Sequence, residues 1–223
     1  MIKNHIIKFD NMNNINTKGY WEKRFSSGSW NNAGKRQTEE YAKANINLMN
    51  ISTDFNGKII DFGCALGDAI PLYKKSFPTA KIIGLDISET AIEICKKRYG
   101  TIAQFYACDI STIPNADIII ASHVLEHITD DKKLVTELLT KCSQLFVFVP
   151  YMESPLYVEH VNSYDENYYA DIHTSDYKIF EVKYRSKIGF VQFLRNSLTL
   201  NFRVYTEFSK QIIMFHFKGF QKV

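Results

Sequence analysis

The sequence predicts an α/β fold, a parallel sheet with helices on both faces. Two observations predict it. Five short, nearly continuous apolar runs lie between Lys58 and Pro150, as expected of strands buried on both sides. Amphipathic stretches of helical period alternate with them.

The elements follow in order. The first 35 residues are rich in Asn, Gly and Ser but contain "YWEKRF", so they read as an arm that docks on the body. From Thr38, "TEEYAKANINLMN" places Tyr41, Ala44, Leu48 and Ile51 on one helical face. "KIIDF" is a buried strand that ends at a glycine-bearing turn. The helix "DAIPLYKKSF" follows, with Pro71 in its first turn, where a missing N–H costs little. "KIIGLD" is the second strand. Ser88 is placed to cap the next helix, whose inner face is Ala91, Ile92, Cys95 and Tyr99. "AQFYACD", "ADIIIA" and "SQLFVFVP" are the third to fifth strands. The helix "DKKLVTELLTKC" before the fifth turns Leu134, Val135, Leu138, Leu139 and Cys142 to one side. After Pro150 the chain becomes aromatic and irregular, and "YKIFEVKY" and "QIIMFHFKGF" read as two further strands.

The bulk numbers narrow the class. A chain of 223 residues, 45% hydrophobic and 23% charged, can bury a real core and suits one domain. A formal net charge of +3 with dispersed Lys and Arg argues against nucleic acid as the partner. Cys64, Cys95, Cys108 and Cys142 are far apart and form no CxxC pair, which implies a reduced, cytoplasmic compartment. No run approaches membrane-spanning length, and the start lacks the apolar stretch of a secretory signal. No membrane role is expected.

Chemistry-bearing residues gather at strand ends, where open α/β sheets bind ligands. "DFGCALGD" carries Gly63, Ala65 and Gly67, a G-x-A-x-G spacing that lacks the third glycine of a dinucleotide fingerprint. Taken alone, it also reads as a tight strand–helix turn. Asp86 ends the second strand, about 20 residues on, where a carboxylate can take a ribose diol. Asp109, with Ile110 beside it, ends the third strand, and Ser122 and His123 end the fourth. In "SHVLEHITDD", His123, Glu126 and His127 have i, i+3, i+4 spacing, and "YVEHVN" adds Glu159, His160 and Asn162 after the fifth strand. These residues can form a metal site, supply a general base, or start a well-satisfied helix.

The order and spacing of these segments resemble the class I S-adenosylmethionine-dependent methyltransferases. "IIDFGCALGD" is similar to their glycine-rich first motif, "IIGLDIS" to their ribose-binding acidic motif and "YACDI" to their adenine-binding motif. The resemblance implies a Rossmann-like seven-stranded sheet with an antiparallel last strand. It implies a single domain, 1–223, in which residues 1–37 form an arm over the cofactor, 38–150 bind it, and 151–223 supply a substrate cover and the C-terminal strands. Cofactor contacts are then expected from Tyr20, Trp21, Arg24, Asp61, Gly63, Cys64, Gly67, Asp86, Ile87, Asp109, Ile110, Ser122 and His123. "ADIIIASHVLEHITD" is similar to the fourth-strand segment of small-molecule and sugar methyltransferases.

Ubiquinone-biosynthesis O-methyltransferases and small-RNA 2′-O-methyltransferases carry an E-x-x-E-H segment in this place, and the RNA enzymes hold a divalent metal there. Here His123 replaces the first Glu. The resemblance therefore implies a possible metal set of His123, Glu126, His127 and His160, whose imidazoles favour Mn, Fe or Zn over Mg. Without a metal, His127 or His160 is the candidate catalytic base. His5, His173 and His216 read as structural or exposed.

The expected activity is O-methylation of a small polar metabolite, anionic or sugar-like. The Asn-, Lys- and Ile-heavy composition resembles that of enzymes acting on surface-polysaccharide precursors, such as nucleotide-linked sugars or phosphate and phosphoramidate groups. Lys183, Arg185, Lys187, Arg195 and Arg203 could meet an anionic substrate or form a solvated basic face. The alternatives are a metal-dependent RNA 2′-O-methyltransferase and a non-catalytic cofactor-binding protein. A nicotinamide-dependent oxidoreductase is disfavoured by the glycine spacing.

Overall fold

The computed structural model describes residues 15–28, 30–108, 112–172, 175–187 and 205–220. In chain order the elements are α1 (Lys18–Ser26), α2 (Trp30–Met49), β1 (Lys58–Phe62), α3 (Ile70–Ser76), β2 (Lys81–Asp86), α4 (Glu89–Tyr99), β3 (Gln104–Ala107), β4 (Ala116–Ser122), a 3₁₀ turn (Leu125–His127), α5 (Asp131–Leu139), β5 (Cys142–Pro150), β6 (Ser175–Lys187) and β7 (Tyr205–Lys218). The strands form one seven-stranded sheet in the order β3-β2-β1-β4-β5-β7-β6. β1 to β5 are parallel, and β7 runs antiparallel to both β5 and β6. The expected Rossmann-like sheet with an antiparallel last strand is present.

Alternate residues of each central strand feed two cores. Ile59, Ile118, Ile120 and Phe146 pack under α2, α3 and α4. Ile60, Ile119, Leu145 and Val147 pack under α5 and the buried tyrosines Tyr164 and Tyr169. This double burial is why the strands lack polar alternation. Ser88 caps α4, accepting from Ala91 N at 3.0 Å, and Pro71 stands in the first turn of α3. His216 is a sheet residue, stacked 4.3 Å from Phe146 and paired with Gln144. His5 and His173 lie outside the described residues.

Several boundaries differ from the sequence reading. α2 starts at Trp30 rather than Thr38. The Trp30 ring lies so close over Gly34 that a Cβ there would come within 2.4 Å of it, and it also meets Phe25 at 5.4 Å. Tertiary packing thus overrides the weak helix propensity of the Asn/Gly stretch. The "YWEKRF" arm is itself helical, as α1. β6 and β7 are longer than expected, and β7 begins six residues before Gln211. Part of the aromatic stretch after Pro150 is core: Tyr164 and Tyr169 are buried, and with Tyr168 they give their hydroxyls to buried Asp131 at 2.7–3.1 Å.

Two cavities at the carboxyl rim of the sheet

The chain reverses its direction of winding between β1 and β4, whose carboxyl ends therefore border a crevice. The loop after β1 is tied to β2 by N–H groups of Gly63 and Cys64 donating to the Leu85 carbonyl at 2.8 and 2.9 Å. Gly63, Ala65 and Gly67 all have positive φ, at 74°, 48° and 75°. Ala65 thus adopts the left-handed conformation usually given to glycine. Its N–H donates to Asp86 Oδ2 at 2.9 Å, and its carbonyl accepts from Cys95 Sγ at 3.2 Å. A Cβ on Gly63 would strike Val124 at 2.3 Å, so glycine is required there. Gly67 lies beneath Cys95 and Tyr99 and serves loop–helix packing.

Two cavities open on this rim. One, of about 450 Å³, is lined by Phe62, Asp86, Ile87, Cys108, Val124 and Ile128. The other, of about 350 Å³, is lined by Asp61, Cys64, Tyr41, Ser122, Glu126 and His160, with Lys210 at its edge. They share the rings of Trp21 and Trp30, the Gly63 and Ala65 segment, and His123 and His127. Burial, with the nearby Asp86 charge, pushes the Asp61 carboxyl up to about 7. Burial raises Asp86 to about 6, against the N–H bonds from Ser88 and Ala65 that favour its charged form. Ser122 accepts from the buried Asn45 amide at 2.9 Å.

The His/Glu cluster folds through the 3₁₀ turn rather than a first α-helical turn. His123, at φ 55°, stacks on Tyr41 at 4.0 Å and sets its Nδ1 3.0 Å from Glu126 Oε1. Glu126 is fully buried, and its Oε2 has no partner among the described residues. Burial would raise its carboxyl, but the His123 bond and the neighbouring imidazoles together hold it below its ordinary range. His127 Nδ1 meets the Glu159 carbonyl at 3.0 Å, and burial lowers this imidazole. A carbonyl can only accept, so the hydrogen sits on Nδ1 and the Nε2 lone pair is left bare.

Ligand atoms of Glu126, His127 and His160 lie within 4.8 Å of one another. Three of the four expected metal residues are thus brought together. His123 is not in that set; it stacks on Tyr41 and its Nδ1 meets Glu126 Oε1.

Of the expected cofactor contacts, Trp21 lines both cavities and Arg24 the smaller one. Tyr20 instead gives its hydroxyl to Glu159. Asp109 and Ile110 lie outside the described residues. Glu159, which the sequence placed beside His160 without a role of its own in the metal or base set, is an organising residue: its buried carboxylate takes Tyr20 and Arg24 (2.7 Å), and its carbonyl takes His127 and Asn16. At its other edge α1 is fixed by Glu22, whose carboxylate accepts from Glu89 N at 2.6 Å and Thr90 N at 3.2 Å. No helix among the described residues is long and apolar enough to cross a membrane.

Residues 54–187 match the methyltransferase domain family. The chain is 30% identical over 115 residues to trans-aconitate 2-methyltransferase of Variovorax paradoxus, covering 49% of this chain and 44% of that protein. It is 28% identical over 86 residues to a ubiquinone/menaquinone biosynthesis C-methyltransferase of Desulfotalea psychrophila, covering 36% of this chain and 35% of that one. The chain thus spans less than half the length of these curated relatives. Its fold is similar to the plantazolicin methyltransferase BpumL in complex with SAH, with a TM-score of 0.55, 18% identity and coverage of 93% and 97%. It is also similar to a structure from the complex of the Haloferax volcanii Trm112 methyltransferase activator with a methyltransferase, with a TM-score of 0.58, 12% identity and coverage of 87% and 96%. The glycine-rich loop, the acidic end of β2 and the family match lead to one conclusion: the chain belongs to the class I S-adenosylmethionine-dependent methyltransferases.

Proposed function

We propose that this methyltransferase transfers its methyl group to an oxygen of a small, polar, anionic or sugar-like metabolite. The observation that carries the reading is the Glu126, His127 and His160 set, which opens on the same cavity as Asp61 and Ser122. A hydroxyl acceptor must lose a proton as it attacks, and this set offers acceptor atoms for it.

In this reading the larger cavity takes the adenosine, with Asp86 on the ribose hydroxyls. Asp61, Cys64, Ser122 and His123 border the methionine end in the smaller one. Residues 1–37 close over the cofactor, 38–150 hold it and 151–223 cover the acceptor; the first boundary falls inside α2. Trp21, common to both cavities, excludes water from the junction, where donor and acceptor must align. The acceptor oxygen attacks the methyl carbon, the carbon–sulfur bond breaks, and S-adenosylhomocysteine leaves with the bonding pair. Without a metal, the hydroxyl proton passes to the bare Nε2 of His127 or His160.

The same three side chains fit a divalent metal. Glu126 Oε2 is a buried, unpartnered donor, and both imidazoles are backed through Nδ1. Two nitrogens and one carboxylate suit Mn, Fe or Zn better than Mg. When bound, the metal would supply Lewis-acid polarisation of the acceptor oxygen. Lys210 and Arg24 on the cavity lining support an anionic acceptor, and a surface-polysaccharide precursor such as a nucleotide-linked sugar or a phosphate or phosphoramidate group meets that description.

The test is incubation with isotopically labelled S-adenosylmethionine and a panel of nucleotide sugars and sugar phosphates, read by mass spectrometry. Metal content and chelator sensitivity are measured on the same preparation. Labelled methyl on oxygen is expected. Transfer to carbon or nitrogen overturns the O-methylation reading; absence of metal together with indifference to chelator overturns the metal.

A further inference from the structure

Glu153 lies outside the three-residue set, at the start of the loop that follows β5. Its Oε2 accepts from Tyr157 N at 3.3 Å and from His160 Nδ1, and its Oε1 is 3.9 Å from Lys210 Nζ. The loop that carries it is stapled to the 3₁₀ turn, because Val161 N donates to Glu126 O at 2.7 Å and Asn162 Nδ2 to Ile128 O at 2.8 Å. A carboxylate only accepts, so the ring hydrogen of His160 stays on Nδ1 and Nε2 is the nitrogen left for Glu126 and His127. His127 is backed in the same way by the Glu159 carbonyl, from the same loop. One segment therefore orients both imidazoles, one with a neutral acceptor and one with a charged one.

We propose that Glu153 is a positioning residue that acts through His160. It fixes the tautomer and aim of that ring so that a bare Nε2 faces Glu126 and His127, and its charge strengthens the imidazole as a donor to a divalent cation. The cation half of this inference rests on the metal reading of the set; the tautomer half does not.

The experiment compares the full chain with Glu153→Gln, which removes the charge, and Glu153→Leu, which also removes the acceptor. Mn(II) and Zn(II) affinity is measured by equilibrium dialysis, His160 ring nitrogens by ¹⁵N-correlated spectroscopy, and S-adenosylhomocysteine affinity by calorimetry as the check on folding. Glu153→Gln is expected to weaken metal binding about 10–100-fold, as loss of an outer carboxylate partner does. Because a Gln amide oxygen can still accept from Nδ1–H, the tautomer is read in Glu153→Leu, where His160 is expected to gain the Nε2–H form, while S-adenosylhomocysteine binds both variants within about threefold of wild type. Wild-type metal affinity in Glu153→Gln, with His160 still in the Nδ1–H form in Glu153→Leu, would overturn the proposal. If wild type binds no metal, the metal reading and the cation half fail together, and the tautomer decides the positioning role by itself. Should Glu153→Gln lose S-adenosylhomocysteine binding, Glu153→Asp, which withdraws the charge by one methylene, carries the same comparison with a smaller expected loss.

Discussion

Glu126 and His123 are joined through one carboxylate oxygen only: Nδ1 sits 3.0 Å from Oε1, while Oε2 is buried without a partner among the described residues. A fully buried carboxylate left half-satisfied costs stability, which is a sign of use. Glu126→Gln keeps the His123 contact and removes the charge. Methyl transfer is expected to fall about 100-fold or more, with S-adenosylhomocysteine affinity within about threefold and a melting temperature no lower than wild type. Kinetics on an identified acceptor, together with calorimetry, checks this, and a fully active variant would remove Glu126 from the chemistry.

Asp61 predicts proton release on cofactor binding. Asp61 is raised from 3.8 to about 7 in the folded chain, so folding favours its protonated form. That contribution to stability is complete below about pH 4 and is lost as pH rises through about 7. A cationic sulfonium or ammonium group beside Asp61 favours the ionised form. Affinity for S-adenosylmethionine should therefore rise with pH up to about 7 and then level off. Calorimetry in buffers of different ionisation enthalpy should show protons leaving at pH 6, and Asp61→Asn should abolish most of that release.

Glu159 closes α1 onto the loop after β5 through Tyr20 and Arg24. Glu159→Gln should loosen this closure and speed S-adenosylhomocysteine dissociation about tenfold, as loss of a mostly buried charged pair would. Stopped-flow fluorescence of Trp21 and Trp30 reads the rate, and faster amide exchange is expected over residues 17–27. An unchanged rate would show that α1 does not gate the cofactor.

The three tyrosines around Asp131 predict a purely structural loss. Tyr169→Phe removes the closest donor, at 2.7 Å, from a buried carboxylate. It should cost about 1–3 kcal/mol in urea unfolding. Cofactor affinity should not move.

Strands β1 to β5 were legible because each is a short apolar run, and α4 because its inner face and its capping serine follow simple local rules. Asp61, Asp86, Ser122 and His123 could be located because a parallel sheet gathers strand ends on one rim. Glu153 was not seen, and Glu159 was placed near His160 without its organising role, since their importance comes from partners far away in the chain or across an irregular loop, where no period operates. The start of α2 was hidden for a related reason. Trp30 lying over Gly34 is a packing event, and Asn/Gly composition speaks against a helix there. Ala65 shows the reverse case: the glycine-loop conformation survives a side chain that local preference disfavours, with its N–H held by Asp86.

The antiparallel course of β7 has a consequence for how such an enzyme can diversify. β6 runs in the direction of the parallel strands and β7 returns against it, so Lys187 at the end of β6 and Tyr205 at the start of β7 pair on the side of the rim that carries the cavities. Pairing with β5 starts only at Ile212, and the ribbon from Glu181–Lys187 and Tyr205–Gln211 continues beyond the end of β5. A parallel seventh strand would deliver its connection to the opposite edge of the sheet. On the proposed placement of the acceptor, changes of charge along that ribbon reach the acceptor side without disturbing the glycine loop or the acidic end of β2. On that placement, acceptor choice and donor binding can evolve as separate modules of one sheet.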